Sequence, residues 1–272
     1  MSNATVRPFV VVPCLNEEQA IGELLQGVLA HCRDVIVIDD GSTDRTAEIA
    51  AALPVTLIRH HARRGKGEAL RSGFRKALEL GASGVLTMDG DGQHDPADIP
   101  RILAAANRFP GALVIGARML ERERQPNARR RANDFADWGI SWGCGRPVAD
   151  TQSGQRWYPR AVVELVELQA QDFVFEAAVL IAASRDLDLP IVSIPIACRY
   201  DHDARHSHFR SVRDTLRITW YTLGRILHYG RAVQGYRASH GSPPDVHDPD
   251  HRLGTRTSTP LRRAGSPPPA QG

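Results

Sequence analysis

Long apolar runs, paired cysteines and lysine are all scarce in this sequence of 272 residues. No apolar run approaches the roughly 18 residues that a membrane-spanning helix needs, and the N-terminus, MSNATVRPFV, lacks the apolar segment of a signal peptide. The four cysteines have no C-x-x-C spacing, which excludes a cysteine zinc site and a dense disulfide framework. From these absences we expect a cytoplasmic protein.

Lysine occurs only at positions 66 and 76, so arginine supplies 32 of the 34 basic residues. Such a bias is typical of GC-rich coding sequences, and each arginine is therefore interpreted by its own surroundings. The net charge is only +3, and residues 236–272, with five Arg and three Asp, account for +2 of it. A nearly neutral body without an aromatic-basic recognition motif is not expected to bind nucleic acid.

Residues 236–272 differ from the rest of the chain in composition. They hold 7 of the 18 prolines together with Ser, Gly and Arg, and few large apolar side chains. Such a segment cannot bury enough apolar surface to offset the loss of chain entropy on folding, so we predict that it is disordered. The folded part is then one domain of residues 1–235.

Short apolar runs alternate with segments of helical spacing over residues 8–118. The runs predict strands at Phe9–Val12, Val35–Ile38, Val55–Ile58, Val85–Met88 and Leu113–Ile115. The spacing predicts helices at Glu17–Ala30, Asp44–Ala52, Lys66–Leu80 and Pro96–Arg108. This alternation is typical of an α/β fold with a mainly parallel central sheet and helices on both faces. Ligands bind such sheets beyond the carboxyl ends of the strands, so the segments that follow the strands are the candidate site.

Acidic residues follow two of the predicted strands. Asp39 and Asp40 end the second strand, where two adjacent carboxylates are costly unless a donor or a ligand neutralises them. Asp89, Asp91 and Gln93 follow the fourth strand, and their oxygens suit a hard divalent cation that is shared with substrate phosphates. The segment lacks the closing Glu of a calcium-binding EF-hand.

The loops after the first and third strands differ in their chemistry. Asn16 is expected either to cap the first helix or to contact a ligand. No Gly-rich phosphate loop follows the first strand, which argues against a Rossmann dinucleotide site, a P-loop and a sugar-1-phosphate nucleotidyltransferase. The basic loop Arg59–Gly67 opens a helix, where Lys66 and the backbone N–H groups favour an anion; a solvated basic loop is the alternative.

Five segments together resemble the family-2 glycosyltransferases of the GT-A fold. Within that family the chain is most similar to the polyprenyl-phosphate sugar transferases, of which the dolichyl-phosphate mannosyltransferases are the best known. The resemblance covers about residues 8–230 in the same order. The segments are VVPCLNEE, VIVIDDGSTDRTAEIA, RRGKGEALRSGF, LTMDGDGQHDPADIP and VIGAR.

The resemblance implies a nucleotide-diphosphate sugar as the donor and a divalent cation, Mg²⁺ or Mn²⁺, as the cofactor. It implies a nucleotide-binding half at residues 8–118 and an acceptor half at residues 119–235. The expected donor site consists of Pro13, Asn16, Glu17, Asp39, Asp40, Lys66 and Asp89. Of these, Asp40 and Lys66 are included because of the local patterns described above. The expected metal ligands are Asp89, Asp91 and Gln93.

The acceptor half carries a second motif of the family. Residues 150–156, DTQSGQR, resemble the family's D-x-x-S-G-F-R, whose Asp and Arg face the reaction centre, although Gln155 stands where the family usually has Phe. A later R-x-x-G-x-S-K segment is matched only loosely, so its Arg corresponds either to Arg199 or to Arg205. The resemblance implies the catalytic residues Asp150, Arg156 and Arg118. Further contacts to the acceptor or its phosphate are expected at Arg131, Ser153, Arg199, Arg205 and Ser207.

The expected function is metal-dependent, inverting transfer of a sugar from the nucleotide donor to an acceptor. The favoured acceptor is a polyprenyl phosphate at the cytoplasmic face of the membrane, and its anionic oxygen needs no strong general base. The first alternative is a hydroxyl acceptor on a glycan or lipid, for which Asp150 is the candidate base. The second is a non-catalytic nucleotide-sugar binding module, against which the intact acidic and basic motif residues argue.

Two segments of the acceptor half suit peripheral membrane contact. Six arginines between positions 118 and 131 lead into the aromatic positions 135, 138 and 142. This pattern suits an anionic lipid phosphate at a membrane surface, and a mobile loop followed by a core helix is the alternative. The segment Ser211–Tyr229 is predicted to form an amphipathic helix, which either rests on an anionic membrane or packs on the domain with its arginines in solvent. Glu176 is expected to hold an arginine in place. The histidines at 202, 206 and 208 lack the neighbours typical of a zinc site.

Overall fold

The computed structural model describes residues 7–120, 127–168, 170, 172, 174–198 and 211–253 of the chain. Within these ranges seven strands form one sheet. The strands are β1 (Pro8–Cys14), β2 (Val35–Asp39), β3 (Thr56–Arg59), β4 (Gly84–Thr87), β5 (Leu113–Ala117), β6 (Arg156–Pro159) and β7 (Ile191–Pro195).

Helices connect most of the strands and cover the sheet. They are α1 (Ile21–Leu29), α2 (Thr46–Ala51), α3 (Lys66–Glu79), α4 (Ile99–Arg108), α5 (Asn127–Cys144), α6 (Arg160–Val163), α7 (Val174–Arg185), α8 (Ser211–His228) and α9 (Ala232–His240). Short 3-10 turns at Pro96–Asp98 and Glu164–Glu167 precede α4 and follow α6. The Asp95 side chain caps the first of these turns, where its Oδ1 atom accepts a hydrogen bond from the N–H of Ala97 at 2.9 Å.

The strand order is β3-β2-β1-β4-β6-β5-β7. Strands β1 to β4 pair in parallel, as do β5 and β7. Strand β6 pairs antiparallel with both of its neighbours, β4 and β5. The predicted α/β fold with a mainly parallel sheet is therefore confirmed, and all five strands predicted for residues 8–118 are present.

The alternation of side chains along the strands builds two cores, one on each face of the sheet. In β1, Val11 joins the cluster that packs under α3, α5 and α7, whereas Val10 and Val12 join the cluster under α1 and α4. Because both faces are covered, the strands read as continuous apolar runs rather than as alternating ones. Helix α7 is buried from Val174 to Ser184, which places it inside the first cluster.

The structure differs from the prediction of disorder after residue 235. Residues 232–240 form α9, and the Tyr236 ring packs against Trp142 at a centroid distance of 5.3 Å. Beyond the helix, Ser193 of β7 donates a hydrogen bond to Asp245 and accepts one from His247, each at 2.8 Å. The prediction is therefore wrong for residues 236–253, because pairing at a sheet edge needs no apolar side chains. Residues 254–272 lie outside the described residues.

Two expected absences concern the helices and the cysteines. None of the described helices combines the length and the hydropathy required to cross a membrane. All four cysteines lie in described parts of the chain, where they are buried and form no disulfide bond. Burial raises the pKa of the Cys14 thiol far above its usual value, so this side chain acts as a small apolar group.

Candidate active site

The carboxyl ends of β1, β2 and β4 meet at one edge of the sheet. Cys14 lies opposite Asp39 in the parallel register, and the N–H of Gly90 donates to the carbonyl oxygen of Pro13 at 3.2 Å. A Cβ atom on Gly90 would lie 2.8 Å from the Cβ of Cys14, so only glycine lets the loop after β4 come this close to β1. This edge therefore gathers Pro13, Asp39 and Asp89, three residues of the predicted donor site.

The loops after β1 and β2 hold each other through backbone-to-side-chain hydrogen bonds. Asn16 adopts a left-handed φ of 56°, and its Oδ1 atom accepts a hydrogen bond from the N–H of Thr43 at 2.8 Å. The N–H of Glu17 donates to Oγ1 of Thr46 at 2.7 Å. The interpretation of Asn16 as a helix cap is wrong, because α1 begins only at Ile21 and the Asn16 side chain bonds to the neighbouring loop.

Asp39 is fully buried at the end of β2. Its Oδ1 atom accepts a hydrogen bond from the N–H of Ser42 at 2.9 Å, and its Oδ2 atom lies 3.0 Å from Nε of Arg59. A cleft of about 330 Å³ opens beside these groups, with a volume in the range of small-molecule sites. The cleft is lined by Gly41, Ser42, Thr43, Arg59, His60 and His61.

The neighbouring carboxylate, Asp40, is committed to the basic loop after β3. It accepts hydrogen bonds from Nδ1 of His60 at 2.7 Å, from the N–H of Arg64 at 2.9 Å and from the N–H of Gly65 at 2.8 Å. Gly65 has a φ of 93°, a conformation that favours glycine. Asp40 therefore shapes the loop that delivers Lys66, which explains how two adjacent carboxylates are tolerated here.

Lys66, the first residue of α3, forms ion pairs with two carboxylates. Its Nζ atom lies 2.8 Å from Oδ1 of Asp89 and 3.1 Å from Oε2 of Glu176. Burial acts to lower the pKa of Lys66, but the two carboxylates raise it well above its usual value. Burial acts to raise the pKa of Asp89, and Lys66 brings it below its usual value. The expectation that Glu176 holds an arginine is corrected, since its partner is a lysine.

The loop after β4 presents oxygen ligands that suit a divalent cation. Asp91 accepts a hydrogen bond from the N–H of Gln93 at 3.0 Å, which curls the loop beyond Asp89. No group of three or more His, Cys, Asp or Glu suited to a metal ion occurs in the described parts of the chain. The loop itself carries two carboxylates, those of Asp89 and Asp91. A hard cation is commonly bound by one or two carboxylates with substrate phosphates, and this donor set fits that arrangement.

Gly154 brings the second motif against this loop. Its carbonyl oxygen accepts a hydrogen bond from Oγ1 of Thr87 at 2.8 Å, so the motif is fixed to the end of β4. A Cβ atom on Gly154 would lie 2.5 Å from the Cγ atom of Asp89. Glycine at this position therefore makes room for the Asp89 carboxylate.

Arg118 and Asp150 form a bidentate ion pair. Oδ2 of Asp150 accepts hydrogen bonds from the backbone N–H of Arg118 at 2.7 Å and from its Nε at 2.8 Å, while Oδ1 accepts from Nη2 at 2.7 Å. Burial acts to raise the pKa of Asp150, but the arginine brings it below its usual value. Asp150 is thus an ionised carboxylate whose two oxygens hold the Arg118 guanidinium.

His94 lies between the two ion pairs and is buried. Burial lowers its pKa to about 4; Asp89 opposes this shift, whereas Arg118 adds to it. The ring is therefore neutral near pH 7, and its Nδ1 atom has no hydrogen-bond partner among the described residues. The charges of both ion pairs act on the pKa of His94, which indicates that the two pairs lie near one another.

The remaining residues of the second motif are buried behind the site. Arg156 is 1% exposed, and its guanidinium donates to the carbonyl oxygen of Thr151 at 2.6 Å and to the Tyr158 hydroxyl at 3.5 Å. Ser153 is also buried, and its backbone N–H donates a hydrogen bond to the carbonyl oxygen of Asp150 at 3.1 Å, which forms a turn. Gln155 is completely buried, and its amide has no hydrogen-bond partner within the described chain.

The contacts predicted for the acceptor or its phosphate also include Arg131, Arg199, Arg205 and Ser207. Arg131 is exposed on α5. Arg199, Arg205 and Ser207 lie outside the described residues, as do the histidines at 202, 206 and 208.

The sequence patterns missed a half-buried carboxylate on α5. Oδ1 of Asp137 accepts hydrogen bonds from the N–H and the Oγ1 of Thr151, each at 2.7 Å, and Oδ2 accepts from the N–H of Asp150 at 3.1 Å. Burial, followed by the charge of Asp150, raises the pKa of Asp137 to about 6. The one available signal was an acidic residue between the apolar positions Phe135, Trp138 and Ile140 of an amphipathic helix.

Comparison with known proteins supports the fold and the family. The family model described as glycosyl transferase family 2 matches residues 9–161. A UDP-N-acetylglucosamine–dolichyl-phosphate N-acetylglucosaminyltransferase of Methanococcus voltae is 28% identical over 215 residues, which cover 71% of this chain and 85% of that protein. A polyprenol monophosphomannose synthase of Mycolicibacterium smegmatis is 32% identical over 189 residues, covering 62% and 69% of the two chains.

Among solved structures, the chain is similar to glucosyl-3-phosphoglycerate synthase from Mycobacterium tuberculosis in complex with Mn²⁺, UDP-glucose and phosphoglyceric acid. The TM-score is 0.63 with 23% sequence identity, and the match covers 82% of this chain and 80% of that one. This similarity confirms the expected GT-A fold, while the matched relatives confirm the expected enzyme class. Because the family model spans more than half of its residues, the chain belongs to the family 2 glycosyltransferases.

Proposed function

We propose that this glycosyltransferase transfers a sugar from a nucleotide-diphosphate sugar to a polyprenyl phosphate, with inversion at the anomeric carbon and with a divalent cation. The relatives from Methanococcus voltae and Mycolicibacterium smegmatis are named for dolichyl-phosphate and polyprenol-phosphate products or acceptors, which supports this acceptor class. The acceptor is a lipid, so the proposed site of action is the cytoplasmic face of a membrane, with the enzyme bound peripherally.

The state of Asp150 is the observation that carries the choice of acceptor. A hydroxyl acceptor needs a general base whose pKa lies near the working pH. The pKa of Asp150 is lowered, and both of its oxygens accept hydrogen bonds from Arg118. Such a carboxylate is a poor base, whereas a phosphate oxygen is already anionic and needs none. The ion pair therefore favours a phosphate acceptor, and Asp150 orients Arg118.

On the donor side, some of the proposed residues would contact the donor directly, and Asp40 would act through its neighbours. The cleft beside Asp39 would take the nucleoside. Asn16 bonds to Thr43 in the lining of the cleft, and Pro13 and Glu17, close to Asn16 in sequence, are proposed to contact the donor as well. Asp40 would act indirectly, since its carboxylate is used by the loop that precedes Lys66. Lys66 remains charged at neutral pH because its pKa is raised, so it can balance charge on the donor diphosphate.

In the proposed reaction, a phosphate oxygen of the acceptor attacks the anomeric carbon from the face opposite the leaving group. The bond between that carbon and the diphosphate oxygen breaks, and the nucleoside diphosphate leaves with the electron pair. Asp89, Asp91 and Gln93 would hold the divalent cation, which supplies Lewis-acid stabilisation of the leaving diphosphate when it is bound. Lys66 contributes positive charge at the same end, and Arg118, held by Asp150, contributes it on the acceptor side.

The decisive experiment is a donor screen on the full chain with Mg²⁺ or Mn²⁺. UDP- and GDP-sugars are each incubated with undecaprenyl phosphate, dolichyl phosphate or no acceptor, and release of nucleoside diphosphate is measured. We expect release that depends on both the polyprenyl phosphate and the metal. Release that requires a free hydroxyl acceptor instead, such as a lipid-linked glycan, would replace the proposed acceptor.

Matched variants of the loop after β4 test the metal assignment. Asp89→Ala and Asp91→Ala should abolish metal-dependent transfer. Asp95→Ala is the control, because this carboxylate belongs to the same loop, caps the 3-10 turn and is not among the predicted site residues. It should lose on the order of 1 kcal/mol of stability and retain transfer. Undiminished turnover in Asp89→Ala and Asp91→Ala would remove these residues from the site.

A further inference from the structure

Three helices expose an apolar surface that the active site does not use. Eight of the nine large apolar side chains that are exposed in the described parts of the chain lie on α5, α8 and α9. Monomeric proteins seldom gather so many on neighbouring elements. This three-helix face consists of Phe135, Trp138, Leu216, Trp220, Leu223, Leu227, Val233 and Tyr236.

The face lies on three helices that pack on one another, and its side chains are exposed. On α5 and α9 the Trp138 ring contacts the rings of Phe135 and Tyr236, with centroid distances of 5.8 Å and 6.4 Å. Helix α8 packs on α5 and α7 through a buried side that includes Ile218 and Ile226. Its exposed apolar residues recur at helical spacing on the opposite side, where Trp220 is 71% exposed.

The exposed charges that the three helices themselves carry are nearly all positive, although Asp172 and Asp186 of neighbouring segments pair with Arg217 and Arg225 of α8. Among the described side chains of these helices and the residue that precedes α9, the one exposed acid is Asp134. A second copy of the chain, docked through the same face, would bring these cations against their equivalents, which like-charge repulsion opposes. The exposed arginines are Arg131, Arg213, Arg217, Arg231 and Arg237.

We propose that the three-helix face is the surface on which this protein docks to an anionic lipid bilayer. Tryptophan and tyrosine suit the boundary between head groups and acyl chains, the leucines suit the acyl region, and the arginines suit anionic head groups. The helices then lie on the bilayer and do not cross it, in keeping with their hydropathy. The role of this docking rests on the proposed lipid acceptor, whereas the binding itself does not.

Contacts connect the face to the candidate active site. Helix α5 carries Asp137, which holds the backbone of Asp150 and Thr151. On α8, Nη1 of Arg217 lies 3.3 Å from Oδ2 of Asp172, and Asp172 packs against Gly65 at the start of α3. Docking through these helices therefore sets both halves of the site next to the lipid surface.

The test is sedimentation of the full chain with vesicles, in the absence of donor and acceptor. Binding is expected to vesicles that contain phosphatidylglycerol and to be much weaker with phosphatidylcholine alone. Trp220→Ser and Leu227→Ser should each lower the partition coefficient at least about tenfold, since each removes a large exposed apolar group that docking would bury in the bilayer. Leu187→Ser is the matched control, because Leu187 is exposed and lies outside the face. It should bind like the parent protein.

Three results would overturn the docking proposal. They are no binding to either vesicle, binding that Trp220→Ser and Leu227→Ser leave unchanged, and a dimer in solution that these variants dissociate while no vesicle is bound. Thermal denaturation of each variant establishes that it is folded. Transfer to detergent-dispersed polyprenyl phosphate is measured separately, so loss of vesicle binding with intact transfer refutes the docking alone. Vesicle binding without transfer refutes the proposed function alone.

A separate observation concerns the missed carboxylate on α5, and from it we infer that Asp137 is a positioning residue for the Arg118–Asp150 pair. Its two oxygens take three hydrogen bonds from Asp150 and Thr151, the backbone that aims the Asp150 carboxylate. Asp150 itself has a φ of 49°, which a non-glycine residue adopts only when its surroundings hold it. Without Asp137 this turn loses the acceptors that fix it.

The test compares Asp137→Ala and Asp137→Asn with the exposed control Asp134→Asn. The kinetic part of this inference rests on the proposed function. We expect kcat to fall by about ten- to hundredfold in Asp137→Ala and by less in Asp137→Asn, while the KM for the donor stays unchanged. Amide hydrogen exchange at Asp150 and Thr151 should accelerate whether or not transfer is detected. Unchanged exchange, or equal losses in kcat and donor affinity, would refute the inference; Asp137→Asn decides if Asp137→Ala does not fold.

Discussion

Gly154 allows the position of Asp89 to be tested without removing any charge from the site. An alanine Cβ would lie 2.5 Å from the Cγ atom of Asp89, so the carboxylate must turn away from Lys66, which it now meets at 2.8 Å. A misplacement of about 1 Å in a reacting group commonly costs around a hundredfold in rate. We therefore expect Gly154→Ala to lower kcat by about that factor. Overpacking should also lower the free energy of unfolding by about 1–3 kcal/mol.

The assay is metal-dependent release of nucleoside diphosphate, with urea denaturation measured on the same preparations. Gly224→Ala is the control, because a Cβ on Gly224 meets no atom within 4 Å and the residue lies on a helix. This control should gain about 0.5–1 kcal/mol of stability and keep its activity. Full activity and unchanged metal dependence in Gly154→Ala would show that the position of Asp89 beside Lys66 is not required.

Three further predictions concern the groups that hold the site together. Lys66→Met leaves two facing carboxylates without their cation and should lower the free energy of unfolding by roughly 3 kcal/mol. In a double-mutant cycle measured by urea denaturation, adding Glu176→Gln should restore part of this loss. Strictly additive losses would contradict the pairing of Lys66 with Glu176. Asp40→Ala leaves the three donors that bond to Asp40 without an acceptor and should lower the free energy of unfolding by about 3 kcal/mol, again measured with urea. A loss below about 1 kcal/mol would show that the basic loop does not depend on Asp40. The pKa of His94 is about 4 in the folded protein, below its unfolded value, so the unfolded chain binds a proton first and the free energy of unfolding falls as the pH drops from about 6.5 to 4. His94→Gln should reduce this fall by about 3 kcal/mol, as measured by urea denaturation across that pH range. An unchanged pH profile would contradict a neutral, buried His94.

The strands and the donor loops were predictable because their signals are local. Parallel strands covered on both faces must be apolar throughout, so Val35–Ile38 and its counterparts stand out as continuous runs. Their carboxyl ends must meet at one edge, which is why Asp39 and Asp89 could be placed together before any coordinates were considered. Lys66 was predictable for the same reason, since it opens the helix after the third strand.

The partners of these residues were not predictable, because they come from distant parts of the chain. Nothing in the periodicity around Glu176 indicates that α7 presents it to Lys66, or that Asp137 faces the turn at Asp150. A helix cap was one of the two roles expected of Asn16, because capping is the common use of Asn before a helix, but its side chain bonds to the neighbouring loop instead. The segment after residue 235 packs on Trp142 through Tyr236 and pairs with β7 at residues 245–247, and composition indicates neither contact.

The position of β6 has a consequence for the order in which the molecule assembles. Strands β4 and β5 do not pair with each other in the described sheet; β6 alone joins them, and it is made after both. A nascent chain that ends before Arg156 can therefore form β3-β2-β1-β4, but it cannot close the sheet. The same strand carries Arg156 and, just before it, Gly154, so sheet closure and completion of the site are expected to be one folding event. Refolding followed by hydrogen exchange should show protection at Thr87, Val114 and Trp157 rising together.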